Sequence, residues 1–461
     1  KTPQGLGAIH ELIMEEKIKK AMVVVPASLK FQWQEEVGKF TPHEAIVIDG
    51  TAAKRKKQYN IFATTNIPIC IIGYETLRND IDIVKEIEIE CVCMDESHRI
   101  KNRKTQLYKS IIQLQPIYRF ALTGTPMQNK PEEIFALMSW INPEILGKVT
   151  AFRKRHIVVG EKFGRRFTDL GYKHLDDIRD KIGPVLLRRM KSEVAPDLPE
   201  IIETVARCDM TKQQKMLYET VEEDFKLFQE EISDFYETQS DADARKGIKH
   251  PKEDMALGYM YMLQAISDHP LLLTQGESTL AKKYLPLVRD CRTSPKLEEM
   301  MEILAPTIEK GSKIIIFSQY ARMLQFLKQR IQQQFNQEPY MIYGAIPAKE
   351  RQEQVVRFRE QPDRQIMLLS DAGNYGLNLQ FADTLINYEQ NWNPAILSQR
   401  IGRIHRINSE FEKVTVINMV TNNTIDEKVM TAINRKKELG QGLIERTDTE
   451  KDIMQKLLGL L

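Results

Sequence analysis

Ile89-Glu90-Cys91-Val92-Cys93-Met94-Asp95-Glu96-Ser97-His98 sets the end of an apolar run directly against two adjacent carboxylates. Residues 89–94 read as a short buried strand, and in open parallel sheets the working groups gather where strands end. There Asp95 can hold Mg2+, directly or through water, while Glu96 positions and polarises an attacking water. Read alone, the pair is also an ordinary solvated charge pair; its place after the strand is what favours a site. Similar runs occupy residues 21–25, closed by Pro26, and residues 69–72 and 119–122. Helical stretches at 29–40 and 106–114 lie between them. Short, continuously apolar strands separated by helices predict a parallel sheet covered on both faces.

Downstream the texture changes. Residues 146–300 are charged, helix-forming and poor in strand signals. Thr211 followed by Gln214 predicts a capping box opening a long amphipathic helix to about Tyr236. The polar stretch 240–254, with Gly247 and Pro251, reads as an exposed loop. Strand runs then return at 313–317, 340–343, 366–369, 384–387 and 414–419, before a helical tail over 424–461. The expected architecture is α/β with four parts. A first lobe spans 1–145, helical insertions 146–300, a second lobe 301–423 and a carboxyl-terminal helical segment 424–461.

Several other segments carry chemistry-bearing residues. Lys1-Thr2 matches only the last two positions of a phosphate loop, whose lysine reaches the β- and γ-phosphates and whose hydroxyl binds Mg2+. Gly5-Leu6-Gly7 imitates a phosphate cradle but no lysine follows, so it reads as part of the helix after such a loop. Leu122-Thr123-Gly124-Thr125-Pro126 ends a strand in a sharp turn, a simple turn or a sensor of the nucleotide's state. In Ser370-Asp371-Ala372-Gly373-Asn374-Tyr375-Gly376-Leu377-Asn378-Leu379, Gly373 and Gly376 allow close approach of backbone to a phosphate or ribose. In Gln399-Arg400-Ile401-Gly402-Arg403-Ile404-His405-Arg406 three arginines recur at intervals of three, near one face of a helix. Such forks suit phosphate oxygens, and an arginine finger is worth about 10³ to 10⁵ in rate. A salt-bridged structural face is the alternative.

The bulk numbers set bounds. At 461 residues, 42% hydrophobic and 28% charged, the chain is an ordinary globular one with room for two or three domains. A net charge of +2 gives no whole-protein attraction to nucleic acid, so any DNA contact must come from local surfaces. Candidates are Lys54-Arg55-Lys56-Lys57 and Arg165-Arg166, each also readable as a solvated face. Five cysteines without paired zinc spacings read as buried reduced thiols. No run reaches membrane-spanning length. The chain begins at Lys1 without methionine, so residues upstream are expected to be removed or unseen.

The order of these segments carries a resemblance. Lys-Thr, Asp-Glu-Ser-His, Thr-Gly-Thr-Pro, the Asp371–Leu379 stretch and Gln-Arg-Ile-Gly-Arg-Ile-His-Arg together resemble the superfamily-2 helicase-like ATPases of the Swi/Snf type, over almost the whole length. Val23-Val24-Val25-Pro26-Ala27-Ser28-Leu29 with Trp33 is similar to that family's first DNA-contacting motif, and Gly73-Tyr74-Glu75-Thr76-Leu77 to its second. Ile100-Lys101-Asn102, Gln128-Asn129, the run 186–191 and Asn391-Trp392-Asn393-Pro394 also fit. The resemblance implies two RecA-like lobes with ATP and Mg2+ in the cleft between them, and a helical brace at the carboxyl end. Lys1 and Thr2 would serve the phosphates and Mg2+, Asp95 the metal and Glu96 the water. Arg403 and Arg406 would be the fingers, with Gln399 and Arg400 leading into them. Nucleic-acid contacts would fall to Ser28, Trp33, Tyr74, Thr76, Lys101, Asn102, Gln128, Asn129, Asn378 and Trp392. The implied activity is DNA-stimulated ATP hydrolysis driving a monomeric motor along double-stranded DNA to displace or remodel a bound protein complex, such as a nucleosome or a polymerase. A strand-separating helicase and a weakly active scaffold are the alternatives. A bacterial or phage cytoplasmic setting is expected, or the nucleus if the source is eukaryotic. Ser97 stands where the family usually has alanine or glycine, Asn374-Tyr375 where Gly-Glu is usual, and Asn408-Ser409 where Gly-Gln is common.

Overall fold

The computed structural model describes all residues except 125–130, 163–164, 188–196, 239–249, 251, 253–254, 276–278, 292, 372–376, 407–408 and 446–461. The chain divides into two compact units, the first mainly Lys1–His156 with Tyr172–Leu186, the second mainly Ile157–Gly171 with Leu187–Gln441.

The first unit is built on five parallel strands: β1 (Ala21–Val25), β2 (Ala45–Ile48), β3 (Ile69–Gly73), β4 (Cys91–Met94) and β5 (Tyr118–Ala121). Their order in the sheet is β2-β3-β1-β4-β5, each pair parallel. Strands β1, β3 and β4 are buried at every residue, which is why they read as unbroken apolar runs. Along β4 the faces alternate. Val92 and Met94 enter one hydrophobic cluster with Tyr59, Phe62 and Trp140, while Cys91 and Cys93 enter the other with Leu6, Ile9 and Trp33. All five cysteines of the chain are buried, without disulfides.

The second unit holds a six-stranded sheet, β10-β11-β9-β12-β13-β8. Its strands are β8 (Glu200–Cys208), β9 (Ile314–Phe317), β10 (Tyr340–Ile342), β11 (Ile366–Leu369), β12 (Thr384–Asn387) and β13 (Lys413–Thr421), all paired in parallel. A two-stranded sheet joins β6 (Ile157–Lys162) and β7 (Arg165–Tyr172). Residues 146–300, expected to be helix-forming and poor in strand signals, also contain β6, β7 and β8. Strand β8 escapes the apolar-run criterion because it forms the edge of its sheet and most of its residues stay exposed.

Helical structure fills the rest of that region. Thr211 Oγ1 accepts the Gln214 amide at 3.1 Å and opens the helix Lys212–Glu237. The box is not reciprocal: Gln214 Nε2 donates instead to the carbonyl of Ile266, 2.7 Å away in the helix Met255–Asp268. The interior is pinned by an ion cluster. Lys296, 1% exposed, donates to Asp268 and to Asp426, each at 2.8 Å. Those three residues come from three helices, Met255–Asp268, Pro295–Glu309 and Ile425–Glu445, so the insertion and the last helix are fastened to the second sheet's body. The loop expected at 240–254 and the tail beyond 445 fall largely outside the described residues.

Candidate nucleotide and nucleic-acid sites

In the first unit the functional residues collect at the carboxyl ends of β4, β5 and β1. Asp95 follows β4 directly, and its amide donates to the Val24 carbonyl at 2.8 Å, extending the ladder by one rung. The chain then turns through Glu96, a non-glycine residue in the left-handed region at φ 52° and ψ 45°. Such a conformation costs about 1–2 kcal/mol for an ordinary side chain. It is held by two hydrogen bonds, Glu96 N–H to Asp95 Oδ1 at 2.9 Å and Ser97 N–H to Leu122 O at 2.9 Å. The second of these ties the acid pair to the end of β5. Ser97 itself is fully buried, which fits a position where only a small side chain is accommodated.

Asp95 is gripped by neutral groups. Trp33 Nε1–H donates to Oδ2 at 3.0 Å, and the Tyr74 hydroxyl donates to the main-chain carbonyl at 2.6 Å. Burial pushes the Asp95 carboxyl above its usual range and the neighbouring Glu96 charge pushes the same way; the Trp33 and Glu96 hydrogen bonds and the positive charge of Lys1 pull back. Glu96 Oε2 lies 3.2 Å from His98 Nδ1, an ion-pair distance without hydrogen-bond alignment.

Lys1 and Thr2 lie on the same side. Thr2 begins the helix Thr2–Met14, and a Cβ added to Gly124 would stand 3.0 Å from Lys1 Nζ, so the Thr123-Gly124 turn lies beside the lysine. Gly5 and Gly7 belong to that helix, as read from the sequence, but for different reasons. A Cβ on Gly5 would meet Leu122 Cδ1 at 3.0 Å and Cys93 Sγ at 3.2 Å, whereas nothing lies within 4 Å of one on Gly7. Gly5 thus lets the helix settle onto β4 and β5.

The donor set fits Mg2+ with a phosphate chain. That ion binds through one or two carboxylates plus substrate phosphates and waters, so it does not require a protein cage. Asp95 accepts hydrogen bonds from neutral donors only, with Lys1 acting on it through its charge alone, and Thr2 places a hydroxyl at the start of the adjoining helix.

The second unit presents the arginines. Asn393 caps the helix Pro394–Ile404 through Oδ1 to Ala395 N–H at 3.0 Å, with Pro394 in its first turn. Arg400, expected to lead into the fingers, is fully buried and its fork is taken up. It grips Asp371 bidentately at 2.7 and 2.9 Å and donates to Asn387 Oδ1 at 2.9 Å and the Glu389 carbonyl at 3.2 Å. A nucleotide-contacting role for Arg400 is therefore corrected: it fixes the helix to the ends of β11 and β12. Arg403 and Arg406 remain half-buried, and both reach the Leu377 carbonyl, at 3.2 and 3.4 Å. Burial lowers the pKa of Arg406, whose other bond is to the Gly402 carbonyl. Gln399, on the same helix as Arg400 and Arg403, lies half-buried, while Gly373 and Gly376 lie outside the described residues.

The expected nucleic-acid residues divide. Ser28 is exposed and Thr76 half-buried, in segments that follow the paired strand ends Val25 and Gly73. A Cβ on Gly73 would stand 3.6 Å from both Thr76 Oγ1 and Ala27 Cα, so the two segments are neighbours. Trp33 and Tyr74 do not share that surface. They are 2% and 1% exposed and point at Asp95, so the expectation that they touch nucleic acid is corrected. Lys101 is ion-paired with Glu133 at 3.4 Å, and Asn102 Oδ1 caps the local turn at Lys104 N. Asn378 is exposed and Trp392 packs half-buried on the second unit's core, while Gln128 and Asn129 lie outside the described residues. In the basic run 54–57, Arg55 is held by Asp80 and the Gly50 carbonyl. Asp371, whose pairing with Arg400 organises the second unit's site, was visible only as part of a glycine-containing segment.

Comparison with known proteins agrees with this layout. The family described as SNF2-related domain matches residues 1–272, and the Helicase conserved C-terminal domain matches 295–408. The Putative ATP-dependent helicase/translocase YwqA of Bacillus subtilis (strain 168) is 28% identical over 92% of this chain and 43% of its own length. The TATA-binding protein-associated factor 172 of Homo sapiens is 30% identical over 94% of this chain and 25% of its own. The chain thus spans less than half the length of these curated relatives. A solved structure, the Sulfolobus solfataricus SWI2/SNF2 ATPase core in complex with dsDNA, is 27% identical over 98% of this chain and 89% of that one, with a TM-score of 0.41. On the family matches and the paired parallel-sheet units, the chain belongs to the Snf2-type, superfamily-2 helicase-like ATPases.

Proposed function

We propose that this chain hydrolyses ATP when bound to double-stranded DNA and uses the cycle to move along the duplex, displacing or remodelling protein bound there. The observation that carries the reading is the Asp95–Glu96 turn: a carboxylate held only by neutral donors, beside a strained glutamate, at the end of a central parallel strand. Lys1 and Thr2 bind the phosphates and, with Asp95, the Mg2+. When bound, Mg2+ neutralises charge on the β- and γ-phosphate oxygens. Glu96 orients a water toward the γ-phosphorus, and its left-handed backbone fixes the direction of its carboxylate. Arg403 and Arg406 stabilise charge on the transferred phosphoryl group, while Arg400 and Asp371 set the helix that carries them. Ser28 and Thr76 contact duplex phosphates together with neighbouring backbone amides, so recognition is of backbone and carries little sequence preference.

The test is ATP hydrolysis with and without duplex, in wild type and Glu96→Gln. The reading expects duplex stimulation in the wild type, a loss of about 10² to 10⁴ in Glu96→Gln, and stimulation that weakens steeply as salt rises. No stimulation in the wild type would favour a DNA- or protein-binding scaffold. Efficient separation of a plain duplex would favour a strand-separating helicase.

A further inference from the structure

Asp95 joins three segments of the first unit. Trp33 lies on the helix Lys30–Phe40, which follows the Pro26-Ala27-Ser28-Leu29 turn, and Tyr74 opens the helix Tyr74–Asn79, two residues before Thr76. Ser28 lies in the turn just before the first helix and Thr76 in the first turn of the second, and each helix sends one buried aromatic inward to the same aspartate, Trp33 to the carboxylate at 3.0 Å and Tyr74 to the carbonyl at 2.6 Å. The donors reach 62 and 21 residues along the chain, so they are not local turn bonds.

We propose that Trp33 and Tyr74 are positioning residues through which duplex grip is transmitted to the metal-binding carboxylate. This deepens the DNA-stimulated ATPase reading above and rests on it. The two Asp95 oxygens each accept one neutral N–H, Oδ2 from Trp33 and Oδ1 from the Glu96 amide, so the carboxylate plane is defined while lone pairs stay available to a cation. The indole cannot turn on its own account. It is 2% exposed, and its Cη2 edge lies 3.7 Å from where a Cβ on Gly5 would be, against the helix that begins at Thr2. Tyr74 is held in turn, buried at 1% exposure with the Arg99 guanidinium 5.5 Å above its ring. Close-packed side chains pass a displacement on instead of absorbing it. A small shift of either short element as its end takes a duplex phosphate therefore re-aims a donor on Asp95. The carbonyl that Tyr74 holds immediately precedes the strained Glu96, so the same shift bears on the water-orienting residue.

The experiment uses the full chain with Trp33→Phe and Tyr74→Phe, each of which removes a donor and keeps a ring. Donors that orient a metal ligand typically carry a 10- to 100-fold effect on metal affinity or activity. The expected result is a fall of about that size in Mg2+-dependent nucleotide binding by calorimetry. Duplex affinity without nucleotide should stay within about two-fold of wild type, below the loss expected when a base- or phosphate-contacting group is removed. A second readout is independent of hydrolysis. In chain labelled with 5-fluorotryptophan, the Trp33 resonance is identified by its loss in Trp33→Phe. It should shift on adding duplex alone. A Trp33 resonance that duplex leaves in place overturns the coupling, as does unchanged Mg2+-nucleotide binding in both variants. If Trp33→Phe fails to fold, judged by its melting curve, Tyr74→Phe and the fluorine signal of the wild type decide. Wild-type chain that binds duplex but shows no stimulated hydrolysis defeats the underlying reading. Wild type and both variants stimulated equally, with the same Mg2+ dependence, defeats only the coupling.

Discussion

Asp95 and Asp371 are the same residue type near the ends of buried parallel strands, β4 and β11, in separate units, yet they are held in opposite ways. Asp371 meets Arg400 across two hydrogen bonds of 2.7 and 2.9 Å and takes a third from Asn391 at 3.1 Å. Asp95 meets an indole N–H and a backbone amide. A bidentate arginine cancels the carboxylate's charge and fixes geometry, so Asp371 is committed to structure. Neutral donors orient without cancelling, so Asp95 keeps a charge for a ligand. What distinguishes a site carboxylate from a structural one is thus the charge of its partner.

The largest expected effect that tests this contrast is on stability. Asp371→Ala leaves the fully buried Arg400 without its carboxylate and should cost about 3–5 kcal/mol. Asp95→Asn removes a buried charge but keeps an acceptor for only one of the two N–H donors, so it should cost about 1–3 kcal/mol, less than Asp371→Ala. Denaturant midpoints measure both, and equal losses would break the comparison. Next, Gly5→Ala forces a Cβ against Leu122 and Cys93 and should destabilise by about 1–3 kcal/mol. Gly7→Ala, on the same helix with open space around it, should stabilise by about 0.5–1 kcal/mol. Opposite signs at positions two residues apart would sharpen the assignment of Gly5 to helix packing.

The smallest effect is a slope with pH. Burial, then the Glu96 charge, raises the Asp95 carboxyl in the folded chain. The folded state then holds the proton longer than the unfolded one, so this group favours folding below the ordinary carboxylate range. That contribution is lost as pH rises through the raised value. Asp80 has the opposite sign: the Arg55 hydrogen bond leads in holding it low, against its own burial, with help from Tyr59. Its contribution is present above the ordinary carboxylate range and disappears as pH falls through the depressed value. Stability titrations of Asp95→Asn and Asp80→Asn should therefore flatten different limbs of the curve, and flattening of the same limb would contradict the assignments.

Much of this layout was legible from residue order. Strands β1, β3, β4, β9, β11 and β12 are buried on both faces and announce themselves as apolar runs. Edge strand β8, Glu-Ile-Ile-Glu-Thr-Val-Ala-Arg-Cys, mixes polar and apolar residues along its exposed positions, so it shows neither an unbroken apolar run nor a clean alternation. The residue types at the site were also legible; their directions were not. Trp33 and Tyr74 sit in segments whose hydroxyls lie outward, and only the packing of those segments over β4 turns the rings toward Asp95. The arginine spacing placed residues 400, 403 and 406 near one face, but the helix ends at Ile404 and only Arg400 faces the sheet. Its partner Asp371 lies 29 residues earlier, a distance that no local spacing rule covers.

The edge position of β8 has a consequence for how the second unit comes to exist. Glu200–Cys208 pairs along its length with Lys413–Thr421, in register Glu200 with Lys413. At about 5–20 residues per second of synthesis, β8 waits roughly 10–40 s for the partner that receives it. During that interval Ile201, Ile202 and Val205, 38%, 40% and 43% exposed even in the finished fold, stand on a strand with neither edge satisfied by β13. Closing this edge of the second sheet therefore depends on a contact distant in sequence, a non-local pairing that is slow to form in comparison with helix or hairpin closure.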